Sequence, residues 1–136
     1  MFLNQTSAYA VRALAYLAQQ TDNAFHGAKE IAEAIGAPPN YLGKTLQSYV
    51  RAEILDARRG KTGGVRLAVD PEEITLWEVL DAIQGLSDMN KCPLGNAVCD
   101  NSHACGIHTR WSAIKTIYSD MLRSTTLDSV ARGELK

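Results

Sequence analysis

The sequence predicts a mainly α-helical chain with one small β-hairpin and a long C-terminal helix. Three observations carry that expectation. Two short amphipathic segments meet at a glycine turn, a basic glycine-rich stretch lies between two short apolar runs, and an apolar seam near the C-terminus repeats at heptad spacing.

Each element follows from local chemistry. From Asn4 to Gln20 the residues Tyr9, Ala10, Ala13, Leu14 and Leu17 recur at helical spacing, and Asp22-Asn23 ends the run. A second helix fits Ala28 to Ile35, with Ile31, Ala32 and Ile35 inward and Gly36 as its stop. Pro38-Pro39 breaks the chain, and Pro39 suits the first turn of a third helix that buries Leu42, Leu46, Tyr49 and Val50. A short glycine-containing turn between two such helices is the helix-turn-helix pattern. Ile54-Leu55-Asp56-Ala57 and Val65 to Val69 read as strands around the turn Arg59-Gly60-Lys61-Thr62-Gly63-Gly64, giving a hairpin wing. Thr75 and Glu78 form a capping box for a fourth helix that runs to about Gln84, with Ile74 and Val79 as its staple and Gly85 closing it. In the last helix, Ile107, Trp111, Ile114, Tyr118 and Met121 step by heptad intervals, which predicts a seam for a second copy of the chain. The fold class is therefore a winged helix-turn-helix domain plus a dimerisation helix. Its divisions are residues 1–85, a cysteine-bearing loop at 86–106, and the dimerisation helix with a C-terminal tail at 107–136.

At 136 residues one domain with an appended element can bury a real core. The net charge is −1, yet residues 1–70 hold eight Lys/Arg against six Asp/Glu, while residues 71–136 hold six against nine. The basic excess thus sits with the helix-turn-helix and wing. No acidic residue occurs from Ala57 to Val69, where Arg58, Arg59, Lys61 and Arg66 lie, and Gly63-Gly64 would let backbone amides approach a phosphate. On the third helix Asn40, Tyr41, Lys44, Thr45, Gln47, Ser48 and Arg51 stand off the buried stripe, beside Pro39, as donors and acceptors suited to a major groove. Double-stranded DNA is the expected partner. A solvated turn and a plain polar helix face are the simpler readings of each piece taken alone.

Cys92, Cys99, Cys105 and His108 fall within seventeen residues, among Pro93, Gly95, Asn96, Asp100, Asn101, Ser102 and Gly106 rather than on an apolar stripe. Thiols grouped in a polar loop are soft metal ligands, and a cation stabilises the thiolate form. The spacing lacks the paired knuckles of a zinc ribbon, whereas iron-sulfur ligation tolerates wide gaps and accepts histidine. His103 competes with His108 as fourth donor; His26 reads as a surface or capping residue. Three cysteines in one span do not make a secreted disulfide framework, no basic leader precedes the first helix and no membrane span is present, so a cytoplasmic setting is expected. No nucleophile and base pair, phosphate loop or carboxylate pair suggests an enzyme.

Tyr9-Ala10-Val11-Arg12-Ala13-Leu14, Glu30-Ile31-Ala32, Tyr41-Leu42, the segment Arg59 to Leu67, Ile74-Thr75-Leu76-Trp77-Glu78-Val79 and the late cysteine trio together resemble the Rrf2 superfamily of bacterial winged-helix transcription regulators, with IscR-like and NsrR-like members. The resemblance spans nearly the whole chain. It implies a homodimer, an iron-sulfur cluster on Cys92, Cys99 and Cys105, and promoter binding that follows cluster state. In IscR-like members a histidine three residues past the last cysteine completes the site, the offset of His108. NsrR-like members take a carboxylate from the partner's first helix where this chain has Ala8, which favours His108 and a 2Fe-2S centre over 4Fe-4S. The first cysteine gap is one residue longer than usual, and Gly43-Lys44 replaces the acidic and amide pair after Tyr-Leu of IscR, so operator preference does not transfer. Two other functions fit the same residues. One is a metal-free thiol redox regulator of this fold; the other is a small iron-sulfur or zinc protein of electron transfer or assembly.

Overall fold

The computed structural model describes residues 3–97 and 99–133. Helix α1 (Gln5–Gln19) begins where the Asn4 side chain accepts the Ser7 N–H at 2.8 Å, and it buries Ala10, Ala13, Leu14 and Leu17 as its periodicity demands. Helix α2 (Ala28–Ile35) ends at Gly36, whose φ of 72° is a left-handed conformation that glycine adopts without strain. Helix α3 (Leu42–Arg51) starts later than expected. Pro39 stands ahead of it, in a turn closed by the Tyr41 N–H to Pro38 carbonyl bond of 3.0 Å. The reason is local: proline at the second position of a turn is favoured, and Pro38, preceding another proline, is biased away from helical backbone. The buried stripe of α3 is Leu42, Thr45, Leu46 and Tyr49, so Leu42, Leu46 and Tyr49 lie inward as expected, while Thr45 also faces inward and Val50 is only half-buried.

The wing consists of β1 (Leu55–Arg58) and β2 (Gly64–Leu67), antiparallel, with Leu55 opposite Leu67 and Arg58 opposite Gly64. A third segment joins it. His26 exchanges two backbone hydrogen bonds of 2.8 Å with Val65, an antiparallel bridge that fastens the α1–α2 connection to β2. This close approach requires glycine at 64, and the turn of the hairpin requires it at 63. A Cβ on Gly64 would lie 2.2 Å from the His26 carbonyl oxygen, and one on Gly63 would lie 2.1 Å from that of Arg58. Gly64 also has φ of 146°. Gly64→Ala is therefore expected to destabilise the fold by about 2–4 kcal/mol through backbone clash and strain, read as a lowered denaturant midpoint with an unchanged m-value.

Helix α4 (Leu76–Gln84) carries the predicted capping box in both directions, the Thr75 side chain accepting the Glu78 N–H and the Glu78 carboxylate accepting that of Thr75. The cysteine loop that follows contains short 3-10 turns at Ser87–Asn90 and Asn101–His103. Helix α5 (His108–Ser124) is the long C-terminal helix. The segment after it, expected as a tail, is a sixth helix, α6 (Leu127–Arg132), folded into the N-terminal core. Leu127 is fully buried, its N–H bonds to the Ile74 carbonyl at 2.7 Å, and Gln19 of α1 donates to the Ala131 carbonyl at 2.9 Å. Burying the leucine contributes roughly 1.5–3 kcal/mol to holding α6 in place.

The main core gathers α1, α2, α3, the inner face of the wing, Ile74, Val79 and α6. A second cluster of Leu80, Leu86 and Leu122, flanked by Leu3, Val11, Trp77 and Tyr118, mounts α5 on α4 and α1. Among the described residues no helix is long and apolar enough to cross a membrane.

Candidate nucleic-acid interface and cysteine loop

The turn before α3 and its outer face present Asn40, Tyr41, Lys44, Gln47 and Arg51 exposed, with Ser48 half-buried. Tyr41 packs edge-on against Tyr9 at 5.5 Å between ring centroids and shares a hydrogen bond with Thr6, so α1 props the entry to α3. Ser48 Oγ accepts from Arg51 at 3.2 Å and donates to the Lys44 carbonyl at 3.2 Å. Thr45, expected on this face, is 7% exposed and belongs to the packing stripe.

The wing's four cations divide. Arg59 and Lys61 stand exposed at the tip, while Arg58 and Arg66 turn back to the Phe25 ring, 4.5 and 4.4 Å from its centroid. Arg59→Ala is expected to lower the slope of log affinity against log salt by about one if the contact is to phosphate, with a similar loss on every duplex sequence. Titration of one specific and one unrelated duplex at several salt concentrations checks it.

His26 is not a surface residue. It is 8% exposed, its Nδ1 lies 3.1 Å from both Glu30 carboxylate oxygens and its Nε2 lies 3.1 Å from Asp22 Oδ1, while Tyr16 meets the ring edge-on. A neutral imidazole can donate from only one nitrogen, so two carboxylates favour the imidazolium. Burial opposes that charge, but the hydrogen bonds that His26 donates to Glu30 and Asp22 outweigh it and hold the His26 pKa above its ordinary value. A folded-state pKa raised above the unfolded one contributes stability fully present below the unfolded value, about 6.5, and lost as pH rises through the folded one. Wild-type thermal stability should thus decline as pH rises from about 6.5 through the raised folded-state value, and His26→Gln should flatten that decline. Melting curves of both proteins from pH 5.5 to 8.5 check the sign.

The loop between α4 and α5 brings its donors together as two pairs. Cys99 Sγ lies 3.5 Å from His108 Nδ1, and His108, 7% exposed at the first turn of α5, directs Nε2 to Asn101 Oδ1 at 3.1 Å. An Nε2–H donated to Asn101 leaves the Nδ1 lone pair turned toward Cys99, the arrangement a metal-binding imidazole needs. The second pair is Cys92, buried, with Cys105. Burial raises the Cys92 pKa, but hydrogen bonds from the Asn96 amide, the Cys105 thiol and the amides of Leu94 and Gly95 prevail and lower it. His103 is exposed and its Nδ1 is engaged by Asp100 Oδ1 at 2.9 Å. Among the described residues no three His, Cys, Asp or Glu side chains converge as a metal-binding group. The donor chemistry, three thiols and an oriented imidazole, fits an iron-sulfur group; the spacing between the two pairs would have to close.

The seam is partly turned inward. Tyr118 packs with the second core cluster and Trp111 is half-buried, its Nε1 enclosed without a partner among the described residues, one turn beyond His108. Ile107 caps α5 rather than lying within it. Exposed on α5 are Ile114 at 48%, Met121 at 49% and Ile117 at 71%, the last outside the heptad phase and missed by it. With Leu3, Ala8, Val11 and Leu80 they line an apolar groove of about 850 Å³.

Over residues 3–133 the chain matches the family described as Rrf2, iron-dependent transcriptional regulator. The chain belongs to the Rrf2 family. Among curated Rrf2 relatives it is 27% identical to the HTH-type transcriptional regulator NsrR of Bacillus subtilis over 135 residues, covering 98% of this chain and 92% of that one. Its fold is that of CymR of B. subtilis, described as the global cysteine regulator, with a TM-score of 0.79 at 20% identity and 97% of each chain covered. It is likewise that of IscR of T. potens, with a TM-score of 0.76 at 22% identity, covering 96% of this chain and 85% of the other. Rrf2 relatives are transcription regulators, so this chain is a DNA-binding regulator and not an enzyme, and the electron-transfer reading falls away.

Sequence reasoning missed Phe25, Ile117, Asn101 and α6. A lone aromatic in the connection after the first helix, and an amide two residues past a cysteine, were the available signals.

Proposed function

We propose that this Rrf2 protein is a cytoplasmic, homodimeric regulator whose promoter affinity is set by an iron-sulfur cluster on Cys92, Cys99, Cys105 and His108, 2Fe-2S rather than 4Fe-4S. The observation that carries the reading is the Cys99–His108 pair with Asn101 orienting the imidazole, because that pair joins the loop to the first turn of α5. Ala8, in the apolar groove, offers no ligand, which supports the imidazole as fourth donor. When bound, such a centre supplies a one-electron couple and a target for oxidants or nitric oxide. The chain's own part is mechanical. Drawing the two donor pairs together orders the segment that links α4 to α5, and α5 carries the exposed Ile114, Ile117 and Met121 through which a second copy would set the spacing of two recognition helices. Ordering matters only if bound and free forms differ in DNA affinity. Iron and acid-labile sulfide assays with a visible spectrum of protein isolated without oxygen test the reading; colourless, iron-free protein that cannot be reconstituted contradicts it.

A second reading has its own observation. Cys92 is buried and its pKa is lowered, in part by the neighbouring Cys105 thiol. A hydroperoxide could take two electrons from this pair: the Cys92 thiolate attacks oxygen to give a sulfenic acid, releasing water or an alcohol, and Cys105 then displaces water to form the disulfide. Peroxide-dependent loss of two thiols from the colourless protein would favour it.

A further inference from the structure

Phe25 sits in the polar stretch Thr21 to His26, is half-buried, and belongs to neither apolar cluster. What covers it is charge: the guanidinium carbons of Arg58 and Arg66 lie 4.5 and 4.4 Å from its ring centroid. The two arginines come from different strands but one face. With Asp56 opposite Arg66 and Arg58 opposite Gly64, strand alternation places Asp56, Arg58, Gly64 and Arg66 together, while the buried Leu55 and Val65 belong to the other, core-facing side. The His26–Val65 bridge sets Phe25 beside Arg66 at the edge of this outer face. A backbone carbonyl fixes one end of each planar group, Thr62 O holding Arg58 Nη2 at 2.9 Å and Asn23 O holding Arg66 Nη1 at 3.0 Å. The Asp56 carboxylate stands 3.8 Å from Arg66 Nε. A guanidinium has more N–H donors than these contacts consume, so both groups keep donors for a ligand.

We infer that Phe25 is a positioning residue of the wing, holding the Arg58 and Arg66 guanidiniums as a preset pair for the phosphate backbone of duplex DNA; the inference rests on the reading that the wing meets DNA. The physical ground is entropy and shape. A long cationic side chain must give up rotamer freedom to bind a phosphate, and one already held by a ring face and a carbonyl gives up less. Only a flat guanidinium stacks on a ring in this way; a lysine ammonium has no plane to present. Both residues that contact the ring are arginines.

The test uses the full-length protein and a duplex from a natural promoter, with anisotropy titrations over a salt series for Phe25→Leu, Phe25→Trp, Arg58→Ala and Arg66→Ala. Phe25→Leu keeps an apolar side chain and every cation, so affinity should fall about three- to tenfold while the salt slope stays at the wild-type value. Phe25→Trp should recover wild-type affinity to within about twofold, since its ring is the best cation partner. Each arginine variant should lose affinity and lower the slope by about one. Ring-current-shifted Hε signals of Arg58 and Arg66 in wild-type protein, lost in Phe25→Leu, report the stacking directly, even where a variant folds poorly. Wild-type affinity in Phe25→Leu, equal weakening in Phe25→Leu and Phe25→Trp, or unshifted arginine signals would overturn the positioning role. Arginine variants that bind with wild-type affinity and slope would instead remove the wing–DNA reading itself.

Discussion

Cys99→Ala is expected to abolish the visible absorption of the anaerobically isolated protein and to fix its promoter affinity at the value of the apo wild type. Cys99 is the thiol that faces His108 Nδ1 at 3.5 Å, and so the one that joins the loop to α5; its loss removes a ligand and that join together. Coupling between two sites is typically about 1–3 kcal/mol, which puts the affinity difference between cluster-bound wild type and Cys99→Ala at roughly 5–150-fold. His108→Ala should behave differently. Three thiolates remain, so a more labile centre persists with a lower reduction potential, because imidazole in place of thiolate raises that potential. A spectrum and potential for His108→Ala equal to those of wild type would exclude it as a ligand.

Ile117→Asp is expected to yield monomer. In the single chain Ile117 is 71% exposed, so the charge costs the folded protomer little; buried against a second copy, an unpaired carboxylate costs several kcal/mol. Sedimentation should shift to the monomer mass with helical content unchanged. Affinity for a two-half-site operator should fall roughly 10²-fold or more as the avidity of paired reading heads is lost. Wild-type protein that sediments as a monomer would contradict the dimer reading.

The legible parts of this fold are those whose causes are local. The capping box of Thr75 and Glu78 needs only residues three apart, and Gly36 closes α2 by its own conformational freedom; both were readable. Residues whose role depends on distant pairing were not. The packing need for glycine at 64 shows only once the His26 carbonyl is found against it, His26 reads as a surface or capping residue until β2 pairs with its segment, and Phe25 gives no signal of its own. Helix α6 offers too few apolar positions for a periodicity, and its place is decided by Leu127 meeting Ile74 and α1. The grouping of three thiols and His108 in one loop was legible from their spacing. Its division into Cys92 with Cys105 and Cys99 with His108 was not, since spacing alone does not say how a loop folds back. Ile117 escaped notice because it lies outside the heptad phase, although it lines one groove with Ala8 and Val11 of α1.

The central claim is that a cluster on this loop changes DNA affinity. It is tested most directly by titrating one genome-derived pool of promoter duplexes, without oxygen, with cluster-bound wild type, apo wild type and Cys99→Ala. At least one promoter should bind the cluster-bound form differently, by about fivefold or more, while apo protein and Cys99→Ala coincide on it. Superimposable curves for all three proteins across the pool would contradict the account.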